Sequence, residues 1–169
     1  EGQISIPYKL TNVVGVCAGY DHSVTLRNDG KLLAWGRNNY GQINIPLGLD
    51  QIVALAAGVQ FTLALDVNGN VIAWGRGDGG QTNVPAGLAK AIGIAAGDAF
   101  GLALQANGNV VGWGTNSSGQ ISIPSGLSNV VAVAAGSQHA LALYVDMRGA
   151  FPVLQNVHPR QQFRQFPAG

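Results

Sequence analysis

Residues 52–85 read IVALAAGVQFTLALDVNGNVIAWGRGDGGQTNVP, and this stretch decides the fold. Short apolar runs alternate in it with turns that contain Gly, Asn or Pro. Such runs are typical of β-strands, and nothing in the stretch has the length or the 3.6-residue period of a helix. Pro85 ends the last run, because proline cannot donate to a β-ladder. The predicted strands are short and antiparallel, and they span residues 52–57, 61–65, 71–74 and, at the edge, 81–84.

The same pattern recurs along the chain with a period of 39 residues. Four kinds of marker keep this period: a tryptophan, a proline, a glycine and a Gly-Gln pair. They stand at Trp35, Trp74 and Trp113; at Pro7, Pro46, Pro85 and Pro124; at Gly19, Gly58, Gly97 and Gly136; and at Gly2, Gly41, Gly80 and Gly119 with the Gln that follows each. Self-similarity at such a period is the signature of a repeat architecture, and four strands in about 40 residues match one β-propeller blade.

We therefore predict an all-β fold made of β-propeller blades with four antiparallel strands each, in three full units and two partial ones. The tryptophans should occupy equivalent buried or half-buried sites. Between the second and third strands, Asp29-Gly30, Asn68-Gly69 and Asn107-Gly108 predict tight type I′ hairpins, in which both central residues have positive φ.

The repeat resembles the regulator of chromosome condensation repeat family. The resemblance rests on Ala57-Gly58 with Phe61 and Leu65, on the Asn-Gly turn, on Ala73-Trp74-Gly75 and on the Gly-Gln pair that follows. It covers roughly residues 1–143 and implies a propeller, usually of seven blades. Family members serve as guanine-nucleotide exchange factors, chromatin binders and enzyme inhibitors, so the fold does not name the function. The form of residues 80–85 is most similar to bacterial members, among them propeller-type inhibitors of β-lactamases.

The repeat register fails after Leu143, since Pro152 stands where a tryptophan is expected. We divide the chain into a repeat domain, residues 1–143, and a divergent C-terminal segment or tail, residues 144–169. A degenerate strand at residues 151–154 and an outer strand at residues 3–6 could complete a shared blade. Three ways of protecting the open sheet edges remain: the chain is part of a larger ring, two chains complete one ring, or one chain closes with four blades. We favour assembly from more than one chain, because only 10% of the residues are charged.

Composition excludes some classes of partner. The formal net charge is +1 and there is no basic run, which disfavours nucleic-acid binding. No apolar run approaches the roughly 18 residues of a membrane span, which disfavours a membrane partner. The single cysteine, Cys17, rules out an internal disulfide framework and leaves the cellular compartment open.

The reactive side chains of the sequence are explained by packing. His22 and His139 lie three residues after the repeat glycine, where Phe61 and Phe100 stand in the middle units, and a position that accepts Phe is a packing position. Cys17 replaces an alanine of the other units, which indicates an inert thiol. The carboxylates do not pair for catalysis. We therefore expect no catalytic residue, metal site or cofactor, and no enzyme activity.

The residues that differ between units lie in two sets of loops, and exposed loops on a rigid frame are where recognition is usually built. We expect the loops after Trp-Gly to form one rim of the propeller and the turns after the repeat glycine to form another. The leading hypothesis is a protein-binding module with a partner of unknown identity, and an inhibitor-like role is one form of it. The alternative is a structural or self-assembling homo-oligomeric repeat unit with no dedicated ligand. The candidate partner-binding residues are Tyr20, Asp21, Arg37, Asn39, Tyr40, Arg76 and Asp78.

Overall fold

The computed structural model describes residues 2, 5–8, 10–145 and 152–156. Within these ranges the chain folds into β-strands and turns, which confirms the all-β prediction, and no helix is long and apolar enough to cross a membrane. The strands are β1 (Val13–Ala18), β2 (His22–Arg27), β3 (Leu32–Gly36), β4 (Ile52–Ala57), β5 (Phe61–Asp66), β6 (Val71–Gly75), β7 (Ala91–Ala96), β8 (Phe100–Gln105), β9 (Val110–Gly114), β10 (Val130–Ala135), β11 (Ala140–Val145) and β12 (Pro152–Asn156).

These strands form four antiparallel sheets of three strands each. We name them blade 1 (β1-β2-β3), blade 2 (β4-β5-β6), blade 3 (β7-β8-β9) and blade 4 (β10-β11-β12). The register is the same in successive blades: Thr62 pairs with Trp74 in blade 2, and Gly101 pairs with Trp113 in blade 3. The observed strands of blade 2 agree with the predicted ones to within one residue.

The predicted fourth strand of the unit, residues 81–84, does not pair in a ladder. Gly80 has a φ of 80°, and the amide of Asn83 donates to the carbonyl of Gly80 over 3.0 Å, so the chain turns here. The carbonyl of Gln81 accepts instead from the indole Nε1 of Trp113 over 2.9 Å. The segment therefore fastens blade 2 to blade 3, where the sequence pattern alone suggested an edge strand.

The hairpins between the second and third strands lie where the Asn-Gly and Asp-Gly pairs place them, but they are not type I′ turns. Gly69 has a φ of 88°, whereas Asn68 does not have a positive φ. The amide of Gly69 donates to Asp66 and the amide of Asp66 donates to Asn70, both over 3.0 Å. This is the three-residue loop with a left-handed glycine, the next most common hairpin connection.

The apolar core lies between the blades. Phe61 and Leu63 of blade 2 share one buried cluster with Ala103 and Trp113 of blade 3. Trp74 and Trp113 are buried and Trp35 is half-buried, so the tryptophans occupy equivalent sites as predicted. Burial of this kind explains why each blade needs a neighbour on both faces.

The four blades form an open arc. Strands β1, β4, β7 and β10 lie innermost, and each packs against the next in this order. Strands β1 and β10 both lie within the described residues, and they do not pack against one another in the same way. Ala18, Ala57, Ala96 and Ala135, at the ends of the inner strands, surround the centre of the arc.

Strand β12 completes blade 4. It pairs with β11 in the register Tyr144 to Val153, so the degenerate strand predicted at residues 151–154 is present one residue further along and extends to Asn156. The domain boundary after residue 143 stays an interpretation. Most of the predicted tail, residues 146–151 and 157–169, lies outside the described residues, as do Gln3 and Ile4 of the predicted outer strand.

Candidate functional site

The two sets of variable loops lie on one rim, and the expectation of two separate rims is wrong. The amide of Arg37, after Trp-Gly, donates to the carbonyl of Asp21 over 2.8 Å, and Asp21 lies in the turn after the repeat glycine. In blade 2 the amide of Arg76 donates to Gln60 over the same distance of 2.8 Å. Because β2 and β3 are antiparallel, the end of β3 must lie beside the beginning of β2. We call this shared surface the rim; it comprises residues 19–21, 36–41, 58–60, 75–80, 97–99, 114–119 and 136–138.

Buried glutamines of the Gly-Gln pairs position the rim loops. The side-chain oxygen of Gln42 accepts from the amide of Tyr40 over 2.9 Å, and Gln81 accepts from Gly79 over 2.9 Å. Gln42 is fully buried, and its own carbonyl accepts from the indole of Trp74 over 3.0 Å. The sequence revealed these glutamines as markers of the period without indicating that they hold the loops.

Arg76 is held on the rim by four hydrogen bonds from its guanidinium. Its Nε lies 2.8 and 2.9 Å from the two carboxylate oxygens of Asp78, and its Nη2 donates to the same carboxylate over 2.7 Å. Its Nη1 donates to the side-chain oxygen of Gln60 over 2.9 Å. These hydrogen bonds lower the pKa of the Asp78 carboxyl and raise the pKa of the Arg76 guanidinium, so the pair stays charged at neutral pH. Gln60 was not among the predicted site residues, and nothing in its type singled it out.

Tyr40 and Arg76 connect the loops of two blades. The guanidinium carbon of Arg76 lies 4.9 Å from the centroid of the Tyr40 ring, within the range of a cation–π contact. Tyr40 belongs to the loop after β3, and Arg76 belongs to the loop after β6. The loops after Trp-Gly of blades 1 and 2 therefore meet on one rim, as predicted.

Arg37 and Asp21 form a second ion pair on the rim. Nη1 of Arg37 lies 3.2 Å from Oδ2 of Asp21. With its amide oriented to suit the hydrogen-bond network, Asn39 accepts from Nε and Nη2 of Arg37 over 3.1 and 3.0 Å. Asp21 is only 4% exposed, so it supports Arg37 from below and is not itself available to a partner. The prediction of Asp21 as a contact residue is thereby corrected.

The centre of the rim is a shallow hollow on the axis of the arc. Its volume is about 290 Å³, and the turns after the repeat glycine of all four blades line it. Tyr20, which is 82% exposed, stands at its edge in blade 1, and Asp98 and Ser137 stand in blades 3 and 4. A second cavity, of about 460 Å³, lies between the loops of blades 2 and 3 and has Gln60, Arg76 and Asp98 in its wall. The rim therefore offers a continuous concave surface.

His22 and Cys17, which we assigned to packing, are buried or half-buried and lie away from these cavities, whereas His139 is exposed. His22 is 2% exposed and its Nε2 lies 3.0 Å from the Thr62 hydroxyl at the interface of blades 1 and 2. Burial raises the pKa of the half-buried Cys17 thiol to about 12, as expected of an inert thiol. His139, in the same slot as His22, is exposed, because no blade follows blade 4 in the described structure. The described residues contain no cluster of His, Cys, Asp or Glu that could hold a metal ion.

Solved structures with this arrangement of blades are found among eukaryotic propellers. Prp20p of Saccharomyces cerevisiae matches with a TM-score of 0.70 and 20% identity, over 80% of this chain and 44% of that chain. The ectodomain of the receptor kinase CR4 from Physcomitrella patens matches with 0.72 and 24% identity, over 92% and 44%. Yeast Prp20 in complex with Kap60 matches with 0.73 and 19% identity, over 89% and 45%. The chain thus spans less than half the length of these propellers, and identities this low show a shared fold alone.

Curated proteins gave no match to this chain. The family model of the regulator of chromosome condensation (RCC1) repeat matches residues 13–42, 52–81 and 91–120, which together make up more than half of the sequence. Each matched segment begins at the inner strand of a blade and ends at the glutamine that positions the rim loop. The chain belongs to the regulator of chromosome condensation repeat family.

Proposed function

We propose that the chain is a non-catalytic protein-binding module whose partner docks on the rim. The observation that carries this proposal is the cluster of Tyr40, Arg76 and Asp78, which two neighbouring blades hold in one arrangement while leaving it accessible. Tyr and Arg dominate the energetics of protein interfaces. Side chains that are already held in place lose less conformational entropy when a partner binds.

Three titratable residues outside the rim, Asp66, Asp29 and His22, support the non-catalytic part of the proposal. The carboxylate of Asp66 accepts from Asn68 and Asn70 within its hairpin turn, and Asp29 accepts from the amide of Lys31. His22 is enclosed between two blades. Each of these groups has a structural partner, and none of them faces the rim cavities.

The charges of the rim favour a protein over a nucleic acid or a membrane surface. Arg37 is paired with Asp21, and Arg76 is paired with Asp78. Phosphate-rich partners are bound by unneutralised positive charge, so paired arginines attract them weakly. The fold neighbour Prp20p is described by its binding to Gsp1p and histones, and also in complex with Kap60; these partners are proteins.

An inhibitor-like role is the specific form of binding that we propose to test first. A concave rim of rigid loops suits the covering of an enzyme's active-site entrance. The direct assay measures hydrolysis of a chromogenic β-lactam by a class A β-lactamase while the concentration of this chain rises. Inhibition that is lost in the Tyr40→Ala/Arg76→Ala variant would support this role; unchanged hydrolysis at micromolar chain would reject it without touching the broader proposal.

Quantitative affinity capture tests the broader proposal. Three baits are compared: the unchanged chain, Tyr40→Ala/Arg37→Ala on the rim, and Lys31→Ala in a hairpin at the opposite end of blade 1. A specific partner should be retained by the first and third baits, and its affinity should fall at least about tenfold with the rim bait, since hot-spot truncations cost 2 kcal/mol or more. A partner whose affinity for the rim variant stays within about threefold would show that the rim is not the site.

Self-assembly is the second candidate function, and one observation favours it. Val16 on the outward face of blade 1 (72% exposed) and His139 on the outward face of blade 4 are both more exposed than their counterparts in the inner blades. These faces do not belong to the rim. The two candidate functions therefore use different surfaces and can be tested separately.

A further inference from the structure

Every interface between neighbouring blades joins the same two faces. The back face of one blade carries the residue three positions after the repeat glycine, such as Phe61, together with Leu63. The front face of the next blade carries the tryptophan, such as Trp113, and the alanine at the middle of its second strand, Ala103. We use back face and front face in this sense for all four blades.

The first of these interfaces contains a polar pair that the others lack. His22 on the back face of blade 1 meets the hydroxyl of Thr62 on the front face of blade 2, 3.0 Å from its Nε2. At the next two interfaces the positions one period later hold Phe61 with Gly101, and Phe100 with Ala140. The residues on the two faces therefore change together. A histidine on the back face faces a residue with a hydroxyl group, and a phenylalanine faces a residue without a hydroxyl group.

The back face of blade 4 leaves exposed residues whose counterparts are buried on the back faces of the other blades. His139, the residue three positions after the repeat glycine of blade 4, is exposed, whereas His22, Phe61 and Phe100 are buried at the equivalent position. Ala134 beside it is also exposed, whereas its counterpart Ala95 is buried. A histidine at this position predicts a hydroxyl on the front face that would cover it.

The front face of blade 1 supplies that hydroxyl. Ser23 stands one period before Thr62, and of the four equivalent front-face positions only these two carry a hydroxyl, because the other two are Gly101 and Ala140. On the same face Val16 is 72% exposed, whereas its counterparts Leu55, Ile94 and Val133 are half-buried. The two outward faces of the arc thus match each other in polarity and in the residues they leave uncovered.

We infer that the back face of blade 4 in one copy of the chain packs on the front face of blade 1 in a second copy, with His139 bonded to Ser23 as His22 is bonded to Thr62. Two such junctions, related by a twofold axis, close a ring of eight blades, a number within the range of known propellers. Each contact joins two different surfaces of the chain, and assembly stops at two copies because the second contact completes the ring. This inference concerns the second candidate function and does not depend on binding at the rim.

The solution mass of the chain, measured by sedimentation equilibrium, tests the inference. The unchanged chain should have twice the mass of one copy, while Val16→Asp and Ala134→Asp should each have the mass of one copy. Both substituted residues are exposed within one copy, so the variants should keep its fold, which circular dichroism verifies. The matched control is Leu47→Asp, which adds the same charge at a fully exposed apolar residue away from both faces and should leave the mass doubled.

Mixing the two variants tests the head-to-tail geometry. Val16→Asp keeps an intact back face and Ala134→Asp keeps an intact front face, so the mixture should form a dimer although neither variant does alone. Exchanging the polar pair, His139→Phe with Ser23→Gly, copies Phe61 and Gly101 and should retain the dimer better than His139→Phe alone. A single-copy mass for the unchanged chain, which includes closure of one chain on itself, overturns the inference. So does a dimer that survives either aspartate variant, or a series of masses beyond two copies.

Discussion

The guanidinium carbon of Arg76 lies 4.9 Å from the centroid of the Tyr40 ring, and the two residues belong to loops of successive blades. Arg76 is oriented for this contact by Asp78 and Gln60, which occupy all of its nitrogens. Tyr40 is oriented by its own backbone amide, which donates to the buried side chain of Gln42 over 2.9 Å. The pair therefore joins two blades at the surface that we propose for binding.

A double-mutant cycle should show this coupling. Tyr40→Ala and Arg76→Ala should be non-additive by about 0.5–1 kcal/mol in the free energy of unfolding, the size expected of an exposed cation–π contact. Urea unfolding of the four proteins measures it. The control cycle combines Tyr40→Ala with Lys31→Ala at the opposite end of blade 1, and its effects should add to within the error. Additivity in both cycles would mean that the ring and the guanidinium do not interact.

The interface of blades 1 and 2 should weaken as the pH falls. Burial lowers the pKa of His22 below its ordinary value of 6.5, and the charge of Asp21 opposes this shift only in part. The Nε2 of His22 lies 3.0 Å from the Thr62 hydroxyl, while its buried Nδ1 has no hydrogen-bond partner that could stabilise a second proton. In the unfolded chain the imidazole binds a proton at a higher pH than in the folded chain, so the free energy of unfolding should fall as the pH drops below 6.5.

The variant His22→Phe, which copies the middle blades, should lose this part of the pH dependence. Urea unfolding at pH 7.5 and at pH 5 measures it for both proteins. The unchanged chain should lose more stability between the two values than the variant does. Equal losses would show that His22 does not carry the effect.

The repeat glycines should tolerate no side chain, whereas a glycine elsewhere in the inner strand should. A Cβ at Gly58 would overlap with Phe61 Cε1 and with the carbonyl oxygen of Gly97 in the next blade. Gly58→Ala should therefore cost about 1–3 kcal/mol or more, as overpacking does. A Cβ at Gly93 would lie 3.7 Å from Leu104 Cβ, an ordinary contact, so Gly93→Ala should be neutral or stabilising. Equal effects of the two substitutions on the midpoint of thermal unfolding would contradict the packing described.

Cys17 should react slowly while the protein is folded. Its thiol pKa of about 12 leaves very little thiolate near neutral pH, because burial disfavours the charged form. Labelling by a thiol reagent at pH 8 should be at least about tenfold slower in the native chain than in urea, since the reaction rate follows the thiolate fraction. Labelling that is equally fast in both conditions would reopen a reactive role for this residue.

The period of the sequence predicted most of the fold, because every blade requires the same residue types at equivalent positions. The structure of each unit requires Trp74, Gly58 and the Asn-Gly turn, so the spacing of these residues indicates the strands of the unit. The prediction of an edge strand at residues 81–84 was wrong, because the chain turns at Gly80 and because Trp113 of the neighbouring blade donates to the carbonyl of Gln81. A single unit of sequence does not display that influence.

The candidate site was predicted less completely. Loop variability indicated Arg37, Tyr40 and Arg76, which lie on the rim, but it could not distinguish an exposed residue from a buried supporting one such as Asp21. The expectation of two rims overlooked that antiparallel strands bring both loop sets to one end of the blade. Gln60 was missed because a glutamine in a turn has no distinctive pattern until its partner, Arg76, is known.

Protein binding at the rim is tested most directly by hydrogen–deuterium exchange of the chain with and without a captured partner. Backbone amides of residues 37–40 and 76–79 should be protected in the complex, and amides of the hairpins at residues 28–31 and 67–70, at the opposite end of the blades, should exchange as they do in the free chain. Protection confined to the hairpins, or to the outward faces of blades 1 and 4, would contradict the rim as the binding surface.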